Sequence, residues 1–290
     1  NSGAFVAAVE HGETGIALDD EERAAGVESR TDDGIMCRVW ASWALERMGH
    51  GERARAMADE ALKLGSAHPS ALVRTEAAAY ASGFVRSTRE FAAAREHCDR
   101  QAALAEEYGF PTFRAIADVH MGWIAAWHGD PAGVAQAQSG VATWRAAGST
   151  VAAPAFLGLL AEACARVGDI DTGMAAVREA IESSEEAGSM HNATELYRIR
   201  AELVLQGNDG DPESRAAEAE ASFLEAIDIA RRQEARGTEL RAAVGLCRLW
   251  QTHGREAEAR VLLDGLCSWF PSHLDTPDLR DARALQEELA

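Results

Sequence analysis

Residues Glu239–Leu263 read ELRAAVGLCRLWQTHGREAEARVLL. Apolar residues recur at helical spacing, stop at THGRE, and recur at helical spacing again. No residue in the stretch has the look of a catalyst. It reads as two helices joined by a short turn. The same break returns as RMGHGE near Gly49, WHGDP near Gly129 and RVGDID near Gly168. Less obvious breaks fall at Ser87–Thr88 and at Asn208–Pro212. The interval is about 40 residues, within the range of helical repeats and longer than the 34 of a standard tetratricopeptide unit.

Small residues keep fixed offsets around each break. Seven before it stand Ser42, Gly122, Ala161 and Cys247; five after it, Ala54, Val134, Gly173 and Ala259. Twelve after it stand Ala61, Val141, Ala180 and Leu266, and around the longer fifth break the roles fall to Ala201, Ala219 and Ala226. Antiparallel helices need small residues where their backbones cross, so the pattern predicts helix pairs. The second unit, about 69–108, fits this register poorly. The predicted pairs are 33–48 with 52–64, 69–86 with 89–108, 111–128 with 131–147, 154–167 with 170–187, 191–206 with 214–235, and 238–253 with 256–268. Pro111, Pro131 and Pro154 stand at helix starts, where a missing N–H is tolerated.

The fold class expected is therefore all-α, a tetratricopeptide-like α-solenoid of antiparallel helix pairs forming a right-handed superhelix. Residues 1–30 read as a truncated helix (4–18) and loop of a preceding repeat, 31–268 as about six helix pairs, and 269–290 as a C-terminal capping helix. That helix starts at Thr276-Pro277 and covers the apolar face of the last repeat, as terminal caps do. The opening NSGAFVAAVE reads as the interior of a repeat, so the chain is expected to be a fragment of a longer protein.

Composition agrees with helices: alanine is plentiful, aromatic residues make up 6%, and there are only 7 prolines in 290 residues. The net charge of −19 repels phosphate backbones and anionic lipid surfaces, so no nucleic-acid or membrane partner is expected. Lys63 is the only lysine, which leaves no phosphate-binding GKS or GKT loop. The five cysteines are scattered without a C-x-x-C pair, pointing to a reducing, cytoplasmic compartment and buried thiols.

The stretches EYGFPTFRAIADVHMGWIAAWHGD, FLGLLAEACARVGDIDTGMAAVREAI and TELYRIRAELVL, the long run EAEASFLEAIDIARRQEARGTELRAAVGLCRLWQTHGREAEARVLL, and DTPDLRDARALQEEL together carry a resemblance. They resemble, in order, the C-terminal tetratricopeptide-like region of bacterial multidomain regulators with an adenylate/guanylate cyclase domain and a STAND-type (AAA-like) ATPase module upstream. The resemblance implies a cytoplasmic signalling protein whose enzymatic parts lie outside this chain. No cyclase or ATPase motif is present to carry over.

Nothing in the chain supports catalysis of its own. His120 and His128 share one predicted helix with Asp118 nearby, but a metal site there would need a third ligand from another helix; His50, His128 and His253 read as helix C-terminal residues. Acidic runs such as DDEER read as solvated faces. No cofactor or metal is expected.

The first helices of the pairs would line the concave surface. Met36, Val39 and Trp43 from the first pair, then Ile116, Val119 and Trp123 from the third, aim inward. Glu162 follows from the fourth, Glu195, Arg198 and Glu202 from the fifth, and Arg241, Arg248 and Gln251 from the sixth. The groove would be aromatic in its first half and charged in its second. Arg198, Arg241 and Arg248 suit an anion clamp, or pair with Glu195, Glu202 and Glu239 and only hold the array in shape. Trp43, Val119, Trp123, Glu162, Glu195, Arg198, Glu202, Arg241 and Arg248 are the candidate binding residues. Two functional readings follow: a non-catalytic regulatory array binding the upstream domains or a partner protein, and an array sensing a small-molecule inducer in its groove.

Overall fold

The computed structural model describes residues 4–26, 33–148 and 152–289, the side chains of 85–87 excepted. The flanking parts of the expected first segment, the first two residues of the expected repeat region and residue 290 lie outside the described residues. Every regular element described is a helix: α1 (Phe5–Ala24), α2 (Asp33–Met48), α3 (Gly51–Ala67), α4 (Ala71–Thr88), α5 (Phe91–Tyr108), α6 (Pro111–Trp127) and α7 (Ala132–Ala146). Then come α8 (Ala153–Val167), α9 (Ile170–Glu186), a single 3-10 turn at Met190–Asn192, α10 (Ala193–Gln206), α11 (Pro212–Arg232), α12 (Arg236–Thr252), α13 (Glu256–Cys267) and α14 (Pro277–Glu288). The first helix runs six residues past the 4–18 expected from sequence, through the acidic DDEER run. Asp19 is buried there because it pairs with Arg38, itself fully buried.

Local chemistry explains the punctuation. Gly49, Gly129, Gly168 and Gly254 each take positive φ at a pair's corner, a conformation glycine adopts without a Cβ clash. Asp211 and Thr276 cap α11 and α14 through their side chains, and a proline follows each in the first turn. The small residues at the fixed offsets are buried where the helices cross. At the α6–α7 crossing a Cβ on Gly122 would overlap the Gly133 carbonyl, and a Cβ on Gly133 would overlap that of Gly122. Only glycine permits that approach.

The second pair keeps the same rule, counted from a different residue. Its corner is Arg89, left-handed at φ 50 without being glycine. Counting from 89 puts Ser82, Ala94 and Gln101 at the three offsets, and all three are buried. The misfit of 69–108 thus came from placing the break two residues early. Gln101 fills a place that is small elsewhere because its amide is satisfied, donating 2.6 Å to the Phe113 carbonyl.

The even-numbered helices pack in succession, α2 on α4, α4 on α6, and so on to α14, forming the inner layer. The odd-numbered helices back them. The array also returns on itself, because α2 packs on α12. Phe5 of α1 and Leu45 of α2 share a core with Ala230 and Ala235 at the α11–α12 corner. A Cβ on Gly237 would meet the Glu46 and Arg47 carbonyls, so the C-terminal end of α2 lies against the start of α12. Phe270 packs on Gly49, Leu274 and Thr276 on Gly51, and Arg47 donates 3.0 Å to Asn192 Oδ1. The inner helices therefore enclose a central space.

Candidate functional site

That space is a partly open cavity of about 150 Å³. Six inner segments reach it: the Arg89 corner after α4, α6, α8, α10, α12 and the start of α14. Seven of the nine candidate residues meet there: Trp123, Glu162, Glu195, Arg198, Glu202, Arg241 and Arg248. Trp43 and Val119 do not. Val119 is fully buried against the Gly140 segment of α7, because the face of α6 that carries it packs on its own partner helix. Trp43 sits between α2 and α4, edge-on to Trp40 at 5.1 Å and to Tyr80 at 5.6 Å, beside a separate crevice with room for a single water. Val39, which sequence also aimed inward, is buried in the same core.

Charge organises the cavity floor. Arg198, nearly buried, donates to Glu162 at 2.6 Å, Glu195 at 2.9 Å and Glu202 at 2.7 Å. Burial alone would lower its guanidinium; the charges of Glu202, Glu195 and Glu162 outweigh that and hold it well above its ordinary value. Arg241 reaches Glu195 at 2.8 Å, Asp278 at 2.7 Å and Glu46 at 3.3 Å, tying α12 to α10, α14 and α2. It too is held high, against burial, by Asp278, Glu195 and Glu46. Of the two alternatives read from sequence for Arg198, Arg241 and Arg248, pairing with carboxylates describes Arg198 and Arg241. Two of the three are consumed by the protein's own carboxylates, and Glu239, a proposed partner, pairs with Arg231 and Arg236 instead.

Two tryptophans of α6 add an aromatic part to the lining. Trp123 donates its indole N–H 2.9 Å to Glu162 Oε2, which satisfies a polar atom that would otherwise be buried unpaired. Trp127 lies between two cations, Arg166 with its guanidinium carbon 3.6 Å from the ring centre and Arg89 at 5.7 Å. Arg89 also pairs with Asp278 at 2.9 Å and Asp281 at 2.7 Å. Burial pushes the Arg166 guanidinium down from its ordinary value, and the nearby charges of Glu162 and Glu202 only partly offset this.

Arg89, Trp127, Arg166, Asp278 and Asp281 were missed as site residues by sequence reasoning. Helical spacing offered a signal for two of them: Trp127 and Arg166 each follow a recognised site residue, Trp123 and Glu162, by four positions. Asp278 and Asp281 had none, since their partner Arg89 is about 190 residues away in the chain. Away from the cavity, His120 Nδ1 lies 2.7 Å from Ser82 Oγ, and His128 Nδ1 lies 2.8 Å from the Ile124 carbonyl. Burial pushes the Cys98, Cys164 and Cys247 thiols up to about 12.

Helix pairs, crossing residues and an enclosed inner face define a tetratricopeptide-like α-solenoid. No protein-family model matches the chain, and no curated protein sequence does. Solved structures share the fold. A Rap protein complexed with competence and sporulation factor aligns over 100% of this chain and 88% of its own, at 11% identity and a TM-score of 0.63. Yeast Tom70 aligns over 97% of this chain at 13% identity and a TM-score of 0.52, with 59% of its own length covered. A STAND protein with a tetratricopeptide repeat sensor, from Pyrococcus horikoshii, aligns over 89% at 11% identity and a TM-score of 0.50; the chain spans 39% of that protein. Among the described residues no helix is long and apolar enough to cross a membrane.

Proposed function

We propose that this chain is a non-catalytic repeat module that receives a segment of a protein partner at the centre of its inner layer. The observation that carries this reading is the convergence of six inner segments on one partly open cavity, lined by two tryptophans and ten charged side chains. At about 150 Å³ it is smaller than the few hundred Å³ typical of small-molecule pockets. It suits a group projecting from a larger partner better than a whole inducer. The likeness to a Rap protein solved with its bound factor, and to a STAND protein's repeat sensor, supports a binding role for such an array. With the resemblance to cyclase–STAND regulators, it supports a cytoplasmic signalling role in which occupancy of the cavity controls an upstream cyclase or ATPase module.

Photo-cross-linking tests this. A benzoylphenylalanine at Trp127 is expected to give a discrete adduct with one partner or with the upstream segment of the parent protein. The same group at Val261, exposed on α13, is expected to give none. Equal labelling from both positions, or none from Trp127, would contradict the proposal.

A further inference from the structure

The charged groups of the cavity divide into two sets. All five lining carboxylates accept from Arg89, Arg198 or Arg241, and those three arginines are fully committed to them. Arg166 and Arg248 are different. Both line the cavity and both are exposed at its rim. Among the described residues, neither has a carboxylate within ion-pair distance. The lining charges without an ion-pair partner among the described residues are thus two guanidiniums, one contributed by α8 and stacked on Trp127, and one by α12.

Arg166 is already positioned for recognition. Its contact with Trp127 occupies a face of the guanidinium and leaves the N–H edge for a planar anion. Partial desolvation of its inner end lowers its guanidinium, and Glu162 and Glu202, whose own hydrogen bonds go to Arg198, offset this only in part; an incoming carboxylate would add to that offset. Arg248 stands two turns along α12 from Arg241, so the buried network that fixes Arg241 also fixes the helix face presenting Arg248. Size narrows the ligand further: a cavity of about 150 Å³ accepts one benzene-sized group and excludes a helix or a folded domain. Charge narrows it again. The chain as a whole carries −19, whereas the cavity lining balances five arginines against five carboxylates, so an anionic group meets less repulsion there than the net charge alone would give.

We propose that Arg166 and Arg248 seat a carboxylate of the partner segment, from an acidic side chain or a free C-terminus, beside Trp127. This rests on the reading that a protein segment enters the cavity, and it names the group that enters.

Calorimetric titration of the whole chain tests it with four probes: acetyl-hexaglutamate amide, acetyl-hexaserine with a free C-terminus, its C-terminal amide, and inorganic phosphate. At least one of the two carboxylate-bearing peptides is expected to bind, and which one does distinguishes side-chain from terminal recognition. Arg166→Gln and Arg248→Gln are each expected to weaken that binding roughly tenfold or more, the loss of a charge-assisted hydrogen bond. Arg166→Lys, which keeps the charge and loses the fork, is expected to fall between. Arg260→Gln, on an exposed part of α13, is expected to change nothing. Circular dichroism and melting curves confirm that each variant folds, as expected for arginines without ion pairs. Binding by phosphate alone, equal binding of the hexaserine acid and amide without binding of hexaglutamate, or binding indifferent to both glutamine variants would overturn the proposal. A Trp127 cross-link that persists while Arg166→Gln and Arg248→Gln leave affinity intact would sink this inference and spare the interaction reading; absence of the cross-link with both arginines in place would sink the reading itself.

Discussion

The α6–α7 crossing and the α2–α12 seam both bring backbones together at glycine, yet they are supported differently. At the crossing, Gly122 and Gly133 meet inside a continuous apolar core that runs from α5 to α10. At the seam, Gly237 meets the carbonyl end of α2, and much of the surrounding contact is polar: Arg241 to Glu46, Arg47 to Asn192, Arg89 to Asp278 and Asp281. Sequential pairs are joined chiefly by burial. The ring is closed by the charged contacts together with apolar ones, Phe5 and Leu45 against Ala230 and Ala235, and Phe270 and Leu274 against the corner at Gly49 and Gly51. Closure is therefore expected to respond to pH and salt more than the contacts between successive repeats do. The cavity is lined by residues of both kinds of contact, Glu162 and Arg198 from the sequential side and Arg89, Arg241 and Asp278 from the closure.

The largest effect is expected on the sequential side. Arg198→Met removes the guanidinium shared by Glu162 and Glu195, leaving the nearly buried Glu162 to the Trp123 N–H and Glu195 to Arg241. Breaking a buried ion pair costs about 3–5 kcal/mol, so the variant is expected to unfold well below the parent in urea titration. An unchanged urea midpoint would show that the network contributes nothing to the α8–α10 interface.

Next comes pH, which acts at the seam. His191 lies in the turn before α10, 2.9 Å from Ser189 Oγ and beside Asn192, the residue that Arg47 holds. Burial first, then the charge of Arg47, pushes its imidazole down to about 4. Between pH 6.5 and about 4 the unfolded chain binds this proton and the folded chain does not. Stability should therefore rise with pH across that window and fall as acid is added, by up to about 3 kcal/mol. His191→Asn should flatten the dependence in that window; an identical pH profile would rule the residue out.

Gly237→Leu places a side chain into the α2 carbonyl end. It is expected to cost about 1–3 kcal/mol and to open the ring while helical content is kept. Scattering that shows expansion at constant ellipticity distinguishes this from unfolding. The smallest effect belongs to Arg89→Gln, whose pairs are partly exposed. A loss of about 1 kcal/mol or less is expected, vanishing in high salt. A salt-independent loss would move Arg89 from the seam's electrostatics to its packing.

The helix pairs were legible because each crossing needs a small residue at a set distance from its corner, and Gly49, Gly129, Gly168 and Gly254 marked the corners. The second corner was hidden because Arg89 takes the left-handed conformation that glycine usually signals. The same hidden residue turned out to hold α14. Most of the charged inner face was legible from helical register, which put Glu162, Arg198 and Arg241 on the faces that converge. Val119 escaped because register gives a helix face's direction without saying that α7 covers it. Ring closure was not legible at all: Glu46 and Arg241 stand 195 positions apart, and no period connects them.

Small-angle scattering of the chain in dilute, low-salt buffer at neutral pH tests the closed ring most directly. A compact chain of 290 residues has a radius of gyration of about 19 Å. Closure predicts a value close to that, rising in Gly237→Leu. A parent value several ångströms larger, unaltered by the substitution, would mean that α2 and α12 do not meet in solution and that the cavity between the inner helices is open.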